Sequence, residues 1–196
     1  MPAAAPESSD EDLMLAYAAG DAAAFDRLYE RHKGGVYRYL LRQSHEPRLA
    51  DEMFQDVWMS VIRSRARYQP TAKFSTWLYR VAHNRLIDHY RARGQVALVS
   101  ADDEAHSEVV NDIAAEPASE PQRKAERREL ADRLQSALRA LPYAQREAFL
   151  LQQEGGLALD DIAALTGSGM ETVKSRLRYA VAKLRTALED LREDAR

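Results

Sequence analysis

The chain of 196 residues has 45% apolar residues, 8 Gly, 7 Pro and a formal net charge of −3, which suits one domain or two small ones. It contains no Cys, so disulfides, thiol nucleophiles and thiolate metal sites are excluded. No apolar run approaches the ~20 residues that cross a bilayer, and the start, Met1 to Glu7, has neither a basic end nor an apolar core. Neither a signal peptide nor membrane insertion is therefore expected, and the expected location is cytoplasmic.

Alternating β-branched runs are missing, and the helical period recurs instead, so the expected fold class is all-α. A first helix starts near Asp10, carries Leu13, Met14 and Tyr17, and ends at Gly20. A second runs from about Asp21 to Arg42, with Phe25, Leu28, His32, Val36 and Leu40 on one face. Pro47 opens a third, to about Arg65, carrying Met53, Phe54, Val57, Trp58, Val61 and Ile62. After Pro70 a fourth extends from about Phe74 to Arg91. From 94 to 122 the period stops in a stretch rich in Ala, Ser, Asp and Glu that reads as a flexible linker. Leu130, Leu134, Leu138 and Leu141 mark the next helix, followed by one from about Pro142 to Glu154 and two more over about 159–166 and 169–192. The expectation is two small helical domains, 10–93 and 123–192, each of four helices, joined by the linker 94–122.

The small net charge hides strong local ones. Residues 63–93 hold eight Lys or Arg against Asp88, for +7, and residues 166–185 hold five against Glu171, for +4. The linker holds seven acids and no Lys or Arg, for −7. Local charge, not the total, governs attraction to phosphates.

The segment from Leu157 to Leu184 carries the strongest motif. A short helix buries Leu159, Ile162, Ala163 and Leu165, and Gly167 supplies a turn that favours positive φ. Ser168 and Glu171 have capping-box spacing. The next helix buries Val173, Leu177, Ala180, Leu184 and Leu188, leaving Thr172, Lys174, Ser175, Arg176, Arg178 and Tyr179 on or beside the outer face. Basic and hydroxyl residues at the start of the second helix of a helix-turn-helix are where base edges and phosphates are read.

Thr172-Val173-Lys174-Ser175-Arg176-Leu177, after an E-G-G-L-x-L-x-x-I-A stretch, resembles region 4 of the extracytoplasmic-function (ECF) sigma factors of the sigma-70 family. Leu141-Pro142-x-x-x-Arg146-x-x-Phe149 resembles the start of that region. Two departures stand out. Ala158 occupies the place of a Ser or Thr cap, which removes about 0.5–2 kcal/mol of helix stability. Arg178-Tyr179-Ala180-Val181 is also less basic than many members at that point.

The resemblance extends upstream. Ala50-Asp51-Glu52-Met53-Phe54-Gln55-Asp56-Val57-Trp58 resembles the region 2 helix that docks on the clamp of RNA polymerase, which implies docking roles for Asp51, Glu52, Gln55 and Asp56. Phe74 to Asp88 resembles the promoter-melting segment F-x-T-W-L-x-x-I-A-x-N. Lys73, Arg80, Asn84 and Arg91 share one helical stripe, with Tyr68, Phe74, Trp77, Tyr79 and Tyr90 interleaved; cations beside stacking surface suit single-stranded DNA. The resemblance also implies that the loop Arg65 to Lys73, with Arg67 and Tyr68, captures a flipped base of the −10 element.

The implied function is a sigma factor that binds core RNA polymerase, reads −35 and −10 promoter elements and helps melt DNA. An anti-sigma factor is a further candidate partner. In such factors the linker threads the polymerase cleft, and here its charge could also cover the basic patches of the free protein. The five His show no metal-ligand spacing, and no phosphate loop or nucleophile motif occurs, so no metal, cofactor or enzymatic activity is expected. The competing readings are a helix-turn-helix regulator that binds DNA without polymerase, which leaves the Phe74 segment and the acidic ridge unexplained, and a helical adaptor, which leaves both basic patches without a purpose.

Overall fold

The computed structural model describes residues 8–94 and 121–193, and side-chain environments in the second stretch over 129–188. The expected linker falls, over 95–120, outside the described residues. Every regular element among the described residues is helical. In chain order these are α1 (Asp10–Ala18), α2 (Ala22–Ser44), α3 (Pro47–Ser64), a 3₁₀ turn (Arg65–Arg67), α4 (Phe74–Ala92), α5 (Pro121–Ala140), α6 (Tyr143–Gly155), α7 (Leu159–Thr166) and α8 (Met170–Glu193). The helix at Pro121 begins two residues inside the expected linker.

Local chemistry sets these boundaries. The Ser9 hydroxyl accepts from the Asp12 amide at the start of α1, and three acids occupy that first turn, where the helix dipole favours negative charge. Asp21 caps α2 by accepting from the Ala23 and Ala24 amides. Pro47 stands at the start of α3, where its missing N–H costs nothing. Gly156 and Gly167 end α6 and α7 at φ 61° and 64°, in the left-handed region open to glycine. No side chain caps α7, whose N-cap is Ala158. The helix α4 lacks a cap of its own, and Glu11 of α1 supplies one by accepting from the Phe74 amide at 2.6 Å.

In the amino-terminal half, Leu13 and Met14 of α1, Leu28 and Val36 of α2, Val57 and Val61 of α3, and Phe74, Leu78 and Leu86 of α4 are buried. Each contributes about 1.5–3 kcal/mol by leaving water. Phe25, Phe54 and Trp58 close the α2–α3 side with edge-on ring contacts. In the carboxy-terminal half, Leu138, Leu150, Leu151, Ile162, Val173, Leu177, Ala180 and Leu184 form the core. Leu159, Ala163 and Leu165 pack at its margin.

The two halves are in direct contact, which the reading as separate domains did not anticipate: α6 lies against α2 and α4. The join is closely fitted and combines aromatic contact, Tyr90 edge-on to Tyr143, with polar pairs. The Glu154 carboxylate, its side chain only 7% exposed, pairs with Arg38 at 2.8 Å and with Arg42, while its backbone carbonyl accepts from the Tyr79 hydroxyl at 2.7 Å. Glu147 meets His83 Nδ1 at 2.6 Å, and Arg146 donates to Gln43 Oε1 at 2.9 Å and to the Leu141 carbonyl. Gly35 makes the approach possible, since a Cβ there would fall 2.7 Å from the Tyr79 hydroxyl and 2.9 Å from the Glu154 carbonyl.

Candidate nucleic-acid and polymerase interfaces

The helix-turn-helix is built from α7, the left-handed Gly167 and α8. The Gly167 and Ser168 amides both donate to the Ala163 carbonyl, which closes α7 tightly. The expected capping box does not form. The helix begins one residue later, with the Gly169 carbonyl accepting its first hydrogen bond from Val173. The Ser168 hydroxyl is drawn instead to the Thr166 hydroxyl at 2.8 Å, and Glu171 pairs with Lys174 at 2.7 Å. Val173, Leu177, Ala180 and Leu184 fix the rotation of α8 about its axis, with Leu188 partly buried. That rotation leaves Lys174, Arg178 and Tyr179 exposed and Thr172, Ser175 and Arg176 half-buried. Arg178 lies over the Tyr179 ring at 5.1 Å, which holds both side chains at the surface. Beside them runs a groove with an apolar floor of Leu159, Leu177 and Val181 and a basic rim of Lys174, Arg178 and Arg185.

On α4, Arg80, Asn84 and Arg91 are all exposed, as are Lys73 at its N-cap and Arg67 in the preceding turn. The aromatic residues expected between them behave differently. Phe74 and Tyr79 are buried in the core, and Tyr90 turns its hydroxyl to the Gln43 carbonyl at 3.0 Å. Tyr68 is half-buried, packed edge-on against Trp77 and Phe74. Its hydroxyl sits in a dry site near Glu11 and Asp10, and burial followed by those two carboxylates pushes its pKa up to about 12. The stacking surface is thus narrower than the sequence suggests, because large rings gain more from the core than from solvent. Arg65 anchors the start of this loop to α1, lying over the Tyr17 ring at 5.4 Å.

Asp51, Glu52, Gln55 and Asp56 are exposed together on α3, opposite buried Met53 and Val57, with Met59 adding an exposed apolar side chain. Tyr37 of α2 hydrogen-bonds Asp51, which raises the pKa of the tyrosine. Among the described residues no group of His, Asp and Glu could hold a metal ion, and no helix is long and apolar enough to cross a membrane.

Sequence reasoning missed Glu154, Glu147, Arg38, Arg42, His83 and Gln43 as a set. The signals were present singly: two adjacent glycines, Gly34 and Gly35, inside a helix, and the charged pair Arg146-Glu147 between Ala144 and the apolar Ala148 to Leu151. Nothing local joins residues 64 to 116 positions apart.

The exposed basic faces and the acidic ridge fall within regions that match known families. The family Sigma-70 region 2 matches residues 28–96, and the family Sigma-70, region 4 matches residues 131–184. The chain is 33% identical over 178 residues to the ECF RNA polymerase sigma factor SigM of Mycobacterium tuberculosis, covering 91% of this chain and 84% of that one. It is 35% identical over 187 residues to the ECF RNA polymerase sigma factor SigE of Mycolicibacterium smegmatis, covering 93% and 70%. Among solved structures, CnrH in complex with the cytosolic domain of CnrY superposes with a TM-score of 0.63 at 24% identity, over 93% of this chain and 99% of that one. The sigma factor RpoE in complex with the anti-sigma factor NepR from Bartonella quintana gives 0.60 at 22% identity, over 84% and 96%. These two establish likeness of fold.

The chain belongs to the ECF group of the sigma-70 family. It is an RNA polymerase sigma factor for promoter recognition, and the reading as a stand-alone regulator is not favoured.

Proposed function

We propose that the three exposed surfaces divide the work of promoter recognition. The carrying observation is that Arg80, Asn84 and Arg91 of α4 and Lys73 at its N-cap are all exposed, next to the loop holding Arg67 and Tyr68. These six residues hold the −10 element and its opened strand. Thr172, Lys174, Ser175, Arg176, Arg178 and Tyr179 read the −35 element in the major groove. Asp51, Glu52, Gln55 and Asp56 dock on the polymerase clamp. The working units are 10–93 and 123–192, with 94–122 between them. The protein acts in the cytoplasm, without a cofactor, and is not an enzyme by itself. One of the similar structures holds the cytosolic domain of CnrY and another the anti-sigma factor NepR, and an anti-sigma factor is the partner class proposed here too.

The test is a run-off assay with purified chain and core RNA polymerase, paired with a polymerase pull-down. Transcripts should appear only when core and chain are both present. Asp51→Arg with Asp56→Arg should abolish capture of core while leaving helical content unchanged; capture at the normal level would refute the docking assignment.

A further inference from the structure

We propose that Glu11 of α1 is a positioning residue for base choice at the −10 element, and that through it α1 sets the shape of the loop Arg65–Lys73. This role rests on the −10 reading of that loop proposed above.

The loop carries little structure of its own. Beyond the 3₁₀ turn its amides make two backbone hydrogen bonds among the described residues, from Tyr68 to the Arg65 carbonyl at 3.4 Å and from Thr71 to the Gln69 carbonyl at 2.8 Å. Every residue from Arg65 to Lys73 is exposed except Tyr68, which is half-buried. Pro70 restricts its own backbone and that of Gln69, but no buried side chain holds the rest in place. A site that distinguishes one base from another needs its walls fixed to within about 0.5 Å. For this loop the fixing has to come from outside it.

The helix α1 supplies that support. It lies against both the 3₁₀ turn and α4, the two elements between which the loop is strung. At the first end, the Arg65 guanidinium sits over the Tyr17 ring, 5.4 Å from its centroid. At the other end, the Phe74 amide donates to Glu11 Oε1 at 2.6 Å. Between them, the Tyr68 hydroxyl is buried near Glu11 and Asp10, and the Tyr68 ring packs edge-on against Trp77 at 5.4 Å. Glu11 is thus common to the middle and the end of the loop. Its bond to Phe74 is charge-assisted, a class about twice as strong as neutral pairs. The helix is itself held, because Asp10 pairs with Arg31 at 2.8 Å and with His32 at 2.6 Å, and Arg31 donates to the Ser8 carbonyl at 2.9 Å. The position of the loop is therefore referred through Glu11 to α2 and the rest of the bundle.

Glu11 is unsuited to hold DNA itself. It is half-buried, and it shares the first turn of α1 with Asp10 and Asp12, a group of charges that phosphates repel. Its influence passes through the loop backbone. Losing it should blur which base is accepted, and should not remove a phosphate contact.

The test uses the full chain with core RNA polymerase on promoter templates randomised across the −35 and −10 elements, with the transcripts sequenced. Four forms are compared: the parent, Glu11→Ala, Glu11→Gln and Asp21→Ala. Asp21→Ala removes the cap that accepts from the Ala23 and Ala24 amides, a comparable loss of stability that does not touch the loop. Glu11→Ala should lower the ratio of preferred to other bases at one or more −10 positions by about tenfold, within the roughly 5- to 150-fold that one mismatched pair ordinarily costs. Its −35 preferences and its capture of core should equal the parent's. Glu11→Gln keeps an acceptor oxygen and should recover part of the ratio, and Asp21→Ala should keep all of it. If circular dichroism shows that Glu11→Ala has lost helix, Glu11→Gln carries the same comparison with a smaller expected loss. Unaltered −10 preferences in the Glu11 variants overturn the positioning role. So does an equal loss in Asp21→Ala or at the −35 positions, which traces the effect to stability or to general weakening. A parent without −10 preference refutes the −10 reading and the positioning role with it, whereas a parental preference that persists without Glu11 refutes the positioning role alone.

Discussion

His45 ends α2 with φ 58°, the only positive φ of a non-glycine residue among the described residues. Its ring is half-buried, and burial first, then Arg146 and Arg139 across the interface, lower its pKa to about 4. In the unfolded chain the ring takes up a proton near 6.5, so between pH 6.5 and 4 the unfolded state binds more protons. Stability from this residue is therefore complete above pH 6.5 and lost as pH falls toward 4. With solvent screening of a half-exposed ring, the loss at pH 5 is about 1 kcal/mol. Asn tolerates the left-handed region and does not titrate; His45→Asn should flatten the decline in urea midpoint between pH 7.5 and 5, and an unchanged decline would place the acid sensitivity elsewhere. Thr76 offers a simpler case: it is buried, and its hydroxyl has no hydrogen-bond partner among the described residues. An unpaired buried hydroxyl costs free energy that a methyl of the same shape does not. Thr76→Val should raise stability by about 1 kcal/mol, seen as a thermal midpoint about 2–4 °C higher.

Two helix starts show how far element-scale reasoning reaches from sequence. That α7 lacks a side-chain cap was readable at Ala158, since capping depends on one residue and its next turn. The N-cap backbone is already extended (φ −73°, ψ 162°), so Ala158→Ser should stabilise the carboxy-terminal half by about 0.5–2 kcal/mol in chemical denaturation. The start of α4 is the opposite case. Its cap comes from Glu11, 63 residues earlier, and no local pattern around Lys73 could announce it. Asp10, beside Glu11, is itself held by Arg31 at 2.8 Å and His32 at 2.6 Å, so α1 is a braced support for the helix carrying Arg80 and Asn84. Glu11→Ala should fray the first turn of α4, raising amide exchange from Phe74 to Trp77 while leaving α3 protected; Glu11→Gln, which keeps an acceptor oxygen, should recover part of that protection. The same contrast between local and distant causes explains the other boundaries. Apolar periodicity located the helices of the described residues to within a few positions, except the start of α5. The Ser168 capping box failed because a competing hydroxyl, Thr166, lies two residues away.

For the whole molecule, charge distribution matters more than total charge. A chain with net charge −3 should bind DNA poorly unless its cations are gathered, and the structure gathers them on α4 and α8 while turning Asp51, Glu52 and Asp56 to a different helix face. What the sequence could not disclose is that the two cation-bearing halves lie against each other. That contact is made by residues such as Arg38 and Glu154, whose pairing is a property of the tertiary fold alone. The surface Arg and Lys residues should act on promoter binding as phosphate neutralisers, each releasing counterions, so affinity of the chain–polymerase complex should fall linearly on a logarithmic salt axis. Arg80→Ala and Arg91→Ala should each weaken binding to all promoter sequences alike and reduce the slope by about 0.7–0.9 for each phosphate no longer neutralised, the lower value applying on opened strand. Arg178→Ala should behave differently: if Arg178 reads a base edge, it relaxes preference at one −35 position by about 1–3 kcal/mol with little change in slope. Titrating the three variants against matched and single-mismatch promoters between about 50 and 200 mM salt distinguishes the two roles. An Arg178→Ala variant that lowers the slope and leaves the mismatch penalties unchanged makes that side chain a phosphate ligand rather than a base reader.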